Sequence, residues 1–335
     1  MNCGIVEVHH GYEMKKLKNK KILITGITGL IGSWLAEELL NDNEVYGISL
    51  DKTKNELLQS KNLIDDLNIE YFDISISEKV SDYFYNKKFD IVFHLAAQTQ
   101  VHFANKFPIE TFDSNIRGTW NILNQCWLSK TPVVVASSDK AYGISKELPY
   151  TEETPLKGVF PYEVSKTVTD LLTTSFIETY GLHAVTLRCG NVYGGGDLNW
   201  DRLIPGVAKW LIQDKTPILR TDGSFKRDWI YVEDVANAYS KLGFELYNNP
   251  LKVSTSYNFA GQDYLSVAEV YKILCLEIKQ EYVNPIFEIQ SRTEIEDQYL
   301  DSTKIEKELG IRANFSIKEG IAKTHNWYRE YLANI

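Results

Sequence analysis

The sequence predicts an α/β protein built on a doubly wound parallel sheet, and three observations carry that prediction. Apolar runs of strand length alternate with amphipathic helical stretches through the first half of the chain. The first run, Lys21-Ile-Leu-Ile-Thr-Gly26, enters a glycine turn, Ile27-Thr28-Gly29-Leu30-Ile31-Gly32, that opens directly into a helix. A second run, residues 44–50, ends at an acidic residue, Asp51. Strand candidates at 21–26, 44–50, 69–72, 91–95, 133–137 and 184–188 are separated by helical patterns near 31–41, 76–86, 111–128 and 162–180.

Each part of the first strand–turn–helix has a physical purpose. Gly26 permits the tight turn, Gly29 lets the backbone approach a pyrophosphate, and Gly32 lets helix pack on strand. The helix N-terminus, with Leu30 and Ile31, then faces the phosphates. Asp51 at the end of the second strand can hydrogen-bond the adenosine ribose and would repel a 2′-phosphate, which favours NAD over NADP.

Two further strings lie 24 residues apart. Ser137-Ser138-Asp139-Lys140 closes an apolar run, and Tyr162-Glu-Val-Ser-Lys166 opens a helical pattern. A tyrosine and a lysine at i and i+4 share one helix face, where an ammonium can lower the phenol pKa and make a usable base. The pair alone occurs on many solvated helices. It gains meaning downstream of a nucleotide-binding turn, with the Ser138 hydroxyl able to share the same substrate oxygen.

Composition narrows the function. The 335 residues are 44% hydrophobic, enough for a core and a second lobe, and the net charge of −9 argues against a nucleic-acid or anionic-membrane surface. No apolar run approaches the ~20 residues of a membrane span. Cys3, Cys126, Cys189 and Cys275 are scattered, which fits free thiols in a reducing cytoplasm better than disulfides. The six histidines have no metal-ligand spacing, so no metal is expected. His9-His10 falls in an expected disordered leader, residues 1–18, in which Met14 is an alternative start.

Taken in order, Thr25 to Gly32, Phe72-Asp73-Ile74, His94-Leu95-Ala96-Ala97-Gln98, Ser114-Asn115 to Thr119, Ser138 to Gly143, Tyr162 to Lys166, Arg188 to Gly194 and Arg227 to Asp234 resemble the motifs of the extended short-chain dehydrogenase/reductases. The resemblance is to their NAD-dependent nucleotide-sugar epimerases and dehydratases and spans roughly residues 20–330. It implies a Rossmann-type domain from 19–191 plus about 229–254. A smaller, interleaved substrate lobe would take about 192–228 plus 255–335. It implies that Asp73 and Ile74 contact adenine, that Leu95, Ala96 and Ala97 line the cofactor, and that Lys166 holds the nicotinamide ribose. It also implies that Asn115 braces the catalytic strand. The helices at 111–127 and from Tyr162 would form a four-helix interface in a homodimer or dimer of dimers.

The same resemblance assigns chemistry. Tyr162 takes the proton of a sugar C4 hydroxyl while C4 is oxidised, with Ser138 holding the oxygen. Family epimerases carry small uncharged residues after the serine or threonine, whereas dehydration across C5 and C6 needs an acid and a base. Asp139-Lys140 resembles the 4,6-dehydratase branch that takes CDP-glucose: Asp139 as acid to the departing C6 hydroxyl and Lys140 as C5 base, or else as an electrostatic anchor. Gln98, Asn191, Arg202, Arg227 and Arg292 are the expected nucleotide-sugar ligands, the arginines because a guanidinium matches phosphate oxygens. Ser138 in place of threonine and a 143–161 segment without tryptophans depart from that branch. The alternatives are an epimerase acting at C4 or C2, or a 4-ketosugar reductase, on the same scaffold.

Overall fold

A computed structural model of the chain describes residues 16–52, 56–288 and 295–334. The nucleotide half runs β1 (Lys21–Thr25), α1 (Leu30–Leu40), β2 (Glu44–Ser49), α2 (Glu56–Ser60), β3 (Asn68–Tyr71), α3 (Ser77–Asn86) and β4 (Ile91–His94). It continues with α4 (Val101–Lys106), α5 (Pro108–Phe112), α6 (Gly118–Ser129), β5 (Val133–Ser138), α7 (Pro161–Tyr180) and β6 (Ala184–Cys189). Beyond it lie β7 (Asn191–Tyr193), α8 (Leu203–Ile212), β8 (Ile218–Leu219), β9 (Lys226–Tyr231), α9 (Val232–Asn248) and β10 (Ser256–Phe259). The chain ends with β11 (Asp263–Ser266), α10 (Val267–Lys279), β12 (Ile286–Phe287), β13 (Asp297–Gln298), α11 (Thr303–Leu309) and α12 (Ile317–Ala333).

Seven parallel strands form the central sheet in the order β10-β6-β5-β4-β1-β2-β3. Strands buried on both faces read as continuous apolar runs, as Val133-Val134-Val135 does. One face carries α1 and α9 over Leu35, Leu39, Val235 and Leu242; the other carries α3 and α6 over Val80, Phe84, Ile122 and Leu123. The strand order reverses between β1 and β4, and a crevice opens at the carboxyl ends there. A smaller sheet gathers β7, β11 and β13 around β9, with α8, α10 and α12 closing its core over Leu211, Leu274 and Ile321.

Three expectations need correction. The strand Ser256–Phe259 pairs with β6 as the edge of the central sheet, so the nucleotide domain reaches past the boundary drawn at 254. The leader drawn to residue 18 is too long: Leu17 is buried in the main core and Lys16 pairs with Glu38 at 3.1 Å. The single helix expected over 111–128 is instead α5, a wide π-type turn at Asp113–Arg117, and α6. Pro108 starts α5, and the turn presents Asn115 inward. Cys3, His9, His10, Met14 and Arg292 lie outside the described residues. Cys126, Cys189 and Cys275 are buried thiols.

Helix α7 is the one that the site depends on. Pro161 sits in its first turn, and the Glu163 carboxylate accepts from the backbone N–H of Val159 and Phe160 at its entry. Gly181, at φ +66°, ends it in the left-handed conformation. Its buried Asp170 accepts from Arg188 Nε at 2.9 Å and from the Ser137 hydroxyl, joining α7 to β6 and β5. Arg188 is 6% exposed and Asp170 2%. Removing one partner strands a buried charge, a cost of about 3–5 kcal/mol. Asp170→Ala should therefore lower the melting temperature by several degrees, while Glu178→Ala, on the exposed side of the same helix, should leave it nearly unchanged. Equal melting temperatures would contradict this account of how α7 is held.

Candidate active site

One cleft of about 1500 Å³ runs along the carboxyl ends of β1, β4, β5 and β6 and under the smaller sheet. A pocket for one small ligand is typically ~300–1,000 Å³, so the cleft has room for two molecules side by side. Its one end is the glycine turn. Gly26 has φ +72°, and a β-carbon there would lie 2.8 Å from the Ala96 backbone. A β-carbon on Gly32 would stand 2.3 Å from the Gly26 carbonyl oxygen. Gly29 caps α1 and meets only that same carbonyl, so its other side is open to the cleft. Leu30, Ile31, Asp73, Ile74, Leu95, Ala96 and Ala97 line this end. Asp73 accepts from the Ser75 N–H at 2.8 Å, which orients its carboxylate. Asp51 is exposed and follows Leu50, the last lining residue of that strand end; the Ser49 hydroxyl donates to its backbone carbonyl at 3.4 Å. The dinucleotide implied by the resemblance fits this cradle: the close approaches of Gly26 to Ala96 and of Gly32 to the Gly26 carbonyl fold the turn tightly, and Gly29 stays open at the N-terminus of α1, where phosphates bind.

At the middle of the cleft, α7 brings Tyr162 and Lys166 beneath the end of β5, where Ser138, Asp139 and Lys140 emerge in a short 3-10 turn. Ser138 caps that turn: its hydroxyl accepts from the Lys140 N–H at 3.3 Å and donates to Asp139 Oδ1 at 2.8 Å. Asp139 is 2% exposed, and its Oδ2 is buried with no hydrogen-bond partner. The Asn191 side-chain Nδ2, at the start of β7, is buried and unpartnered in the same way. A buried polar atom left unmatched costs stability unless something else meets it. Both atoms belong to residues that line the cleft, as an acid and a donor waiting for substrate oxygens would.

The electrostatics correct one expectation. Burial dominates at the Tyr162 phenol and pushes it up to about 12, with Asp139 adding to the rise. The opposing influences are the Arg202 guanidinium and a hydrogen bond with Ser138. The Lys166 ammonium turns to the strand instead, donating to the Ala136 carbonyl at 2.9 Å, and burial lowers it to about 8. Arg202, at the entry of α8, pairs with Asp197 at 3.0 Å.

Asn115 also does something other than expected. Its side chain accepts from the Gln98 N–H at 2.7 Å and donates to the Gln98 carbonyl and the Ser165 hydroxyl, both at 2.9 Å. It ties the loop after β4 to α7 rather than bracing the catalytic strand. Gln98 lines the cleft, with its amide turned back on Gln100. Arg227 is 7% exposed and donates to the carbonyls of Lys226, Ile295 and Glu296. It lines the cleft, and part of its guanidinium is spent on anchoring the chain beyond residue 294.

Sequence reasoning missed Gln298, which is fully buried and hydrogen-bonded to Lys140, because nothing local to that position marks it. It also missed Asp228, whose carboxyl is pushed up to about 7 mainly by burial and which accepts from the Leu300 N–H at 2.8 Å. Among the described residues, no group of histidines, cysteines and carboxylates is arranged to hold a metal ion, and no helix is long and apolar enough to cross a membrane.

The profile of the GDP-mannose 4,6 dehydratase family matches residues 23–324. A CDP-glucose 4,6-dehydratase from Salmonella typhimurium is 33% identical over 261 residues, covering 73% of this chain and 72% of that protein. A solved dTDP-glucose 4,6-dehydratase from Streptomyces venezuelae with NAD bound superposes with TM-score 0.81 at 26% identity, over 93% of this chain and 98% of that one. A UDP-glucose 4-epimerase from Thermotoga maritima shares the fold at TM-score 0.83 and 24% identity, over 93% and 99%. The chain belongs to the 4,6-dehydratase family, within the extended short-chain dehydrogenase/reductases, and is an enzyme of the hydro-lyase class.

His94, at the end of β4, lies between the hydroxyls of Thr25 and Thr119 at 2.8 and 2.9 Å. Burial lowers it to about 3. In the unfolded chain it titrates near 6.5, so below that pH the unfolded state binds a proton that the folded state refuses. Stability should fall as pH drops from about 6.5, and His94→Gln should flatten that fall by one proton's worth between pH 6.5 and 5. Denaturant titrations across that range measure it; an unchanged slope would contradict the neutral, buried state of His94.

Proposed function

We propose that the chain is an NAD-dependent nucleotide-sugar 4,6-dehydratase and that CDP-glucose is its substrate. The observation that carries the chemistry is Asp139-Lys140: an acid with a buried unmatched oxygen and a lysine, directly after Ser138 and in the same cleft as Tyr162. Removing water across C5 and C6 calls for one group to take the C5 proton and one to protonate the departing hydroxyl. An epimerase needs neither. The match to the Salmonella protein supports the choice of base and sugar.

NAD, held by Gly26, Gly29, Gly32, Asp51, Asp73 and the Leu95–Ala97 segment, supplies when bound a two-electron acceptor that oxidises C4 and is restored at C6. The protein's own residues do the rest. Tyr162 takes the C4 hydroxyl proton, and Ser138 holds the oxygen it leaves. A phenol held near 12 by burial needs help to ionise at neutral pH. The positive charge of Arg202 works in that direction already. Lys166 is anchored to the Ala136 carbonyl and holds its place beside the reacting centre. Lys140 takes the C5 proton, Asp139 gives its proton to the C6 hydroxyl, which departs as water, and Lys140 returns its proton to C5 as C6 is reduced. Gln98, Asn191, Arg202 and Arg227 orient the nucleotide sugar, with Arg292 as a further phosphate ligand.

The test incubates purified protein separately with CDP-glucose, dTDP-glucose, GDP-mannose and UDP-N-acetylglucosamine, without added NAD, and follows product mass. CDP-glucose should lose 18 Da, the mass of one water. Lys140→Ala run in parallel should still oxidise C4, seen as near-ultraviolet absorbance of bound reduced nicotinamide, while water loss slows by roughly 10²–10⁴-fold. Loss of water from another nucleotide sugar alone would overturn the CDP-glucose assignment. A stereoisomer of unchanged mass would replace the dehydratase reading with the epimerase.

We also propose a homodimer built on α6 and α7. These helices expose Trp120, Trp127, Leu128, Leu171 and Tyr180, a larger apolar surface than scattered surface residues explain. Sedimentation equilibrium should give twice the chain mass of 38.4 kDa, and Leu171→Glu should shift it toward the monomer. A monomeric wild type would refute the interface.

A further inference from the structure

We infer that Gln298 is the positioning residue for Lys140, and that through it the substrate lobe sets the dehydration step. This rests on the dehydratase reading of Lys140. Gln298 lies on β13, fully buried, 158 residues from the lysine it meets. Its side-chain amide works at both ends. The oxygen accepts from Lys140 Nζ, and the nitrogen donates to the Asp139 backbone carbonyl at 3.2 Å. One side chain thus grips both residues that dehydration requires.

The choice of an amide has chemical content. A carboxylate at 298 would hold the lysine as an ammonium through charge, and an apolar side chain would leave its N–H groups unmatched. A neutral amide oxygen accepts one N–H from either protonation state. It orients the nitrogen without fixing its charge, which is what a lysine that must accept a proton in each turnover needs.

Gln298 is also wired to substrate binding. In the pairing of β13 with β9, Gln298 stands opposite Arg227. Arg227 reaches along the same segment to the carbonyls of Ile295 and Glu296. The next residues are tied to the loop at Tyr150 and back to β9: the Tyr150 N–H donates to the Tyr299 carbonyl, Leu300 N–H to Asp228, and Asp301 N–H to the Tyr150 carbonyl, at 2.8–2.9 Å. The strand that holds Lys140 is therefore locked on one side to a candidate phosphate ligand and on the other to the loop that follows the catalytic turn. A nucleotide sugar that engages Arg227 bears on the strand that carries Gln298.

The experiment compares wild type, Gln298→Leu and Gln298→Glu, each as the full chain with its bound cofactor. With the nucleotide sugar that wild type dehydrates, Gln298→Leu should lower kcat about 10–100-fold with KM within about twofold, and reduced nicotinamide should build up because C4 oxidation proceeds ahead of water loss. Gln298→Glu restores an acceptor for Lys140 but holds it as an ammonium, so part of kcat should return only as the pH rises above neutral. An unchanged kcat in Gln298→Leu, or an equal loss in both variants together with loss of cofactor, would overturn the inference. A second readout needs no turnover: acylation of Lys140, followed by mass spectrometry of the peptide, should speed up about tenfold in Gln298→Leu, the scale of one lost hydrogen bond to a charged donor. An unchanged labelling rate would refute the grip on Lys140 even if wild type proves to be an epimerase, and absence of water loss in wild type would refute the dehydratase reading alone.

Discussion

The buried contact of Asp170 with Arg188 and Ser137 is the constraint on which the rest of the site depends. Tyr162, Lys166 and Asp170 are spaced four residues apart and so lie in one row along α7. The row has three tasks in sequence: Tyr162 enters the cleft, Lys166 grips the Ala136 carbonyl of β5, and Asp170 locks onto β5 and β6. Rotating the helix to free any one of them would displace the others. The network continues through the Arg188 guanidinium to the Tyr142 hydroxyl and from there to Asn258 on β10, both at 2.7 Å. The turn after β5 and the edge of the sheet are thereby held to the same charge pair. A reaction that needs its acid, base and proton acceptor placed within fractions of an ångström has a reason for so costly a buried pair.

The second half of the site comes from the other lobe. Segment 295–301 is stitched to Arg227, Lys140, Asp228 and Tyr150, and so joins the small sheet to the catalytic turn. The two dehydration residues follow Ser138 without a break in the chain, but their environment is supplied from more than 150 residues away. This arrangement explains how one scaffold serves several reactions. In the proposed reaction the oxidation at C4 is assigned to α7 and the sheet, and the fate of the oxidised sugar to residues 139 and 140 and to what the substrate lobe places against them.

Much of this was legible in the sequence. The predicted strands lie within about one residue of β1 to β6, because strands covered on both faces must be continuously apolar and their ends are marked by glycine or charge. The glycine spacing marked the tight turn that opens α1, since only a missing side chain satisfies the close approach of the Gly26 carbonyl to Gly32. Strand β10 escaped because Ser256-Tyr-Asn-Phe259 is short and half polar, and it is in the sheet only by virtue of pairing with β6. The rise of the Tyr162 phenol was not legible because burial is a tertiary fact: helical spacing brings Lys166 to the face of Tyr162 but says nothing of the Ala136 carbonyl that accepts its hydrogen bond. Gln298 was invisible for a similar reason. A glutamine in a polar string has no pattern, and its value arises from the residue that it meets across the fold.

The central claim is that the oxidised sugar loses water across C5 and C6 instead of being reduced again at C4. A nucleotide sugar carrying deuterium at C4 separates the two outcomes in a single tube. The account predicts a product lighter by one water with the deuterium at C6 and none at C4, read by mass spectrometry and NMR. Deuterium retained at C4 in a sugar of unchanged mass and altered stereochemistry would contradict it, and would leave Asp139 and Lys140 as binding groups only.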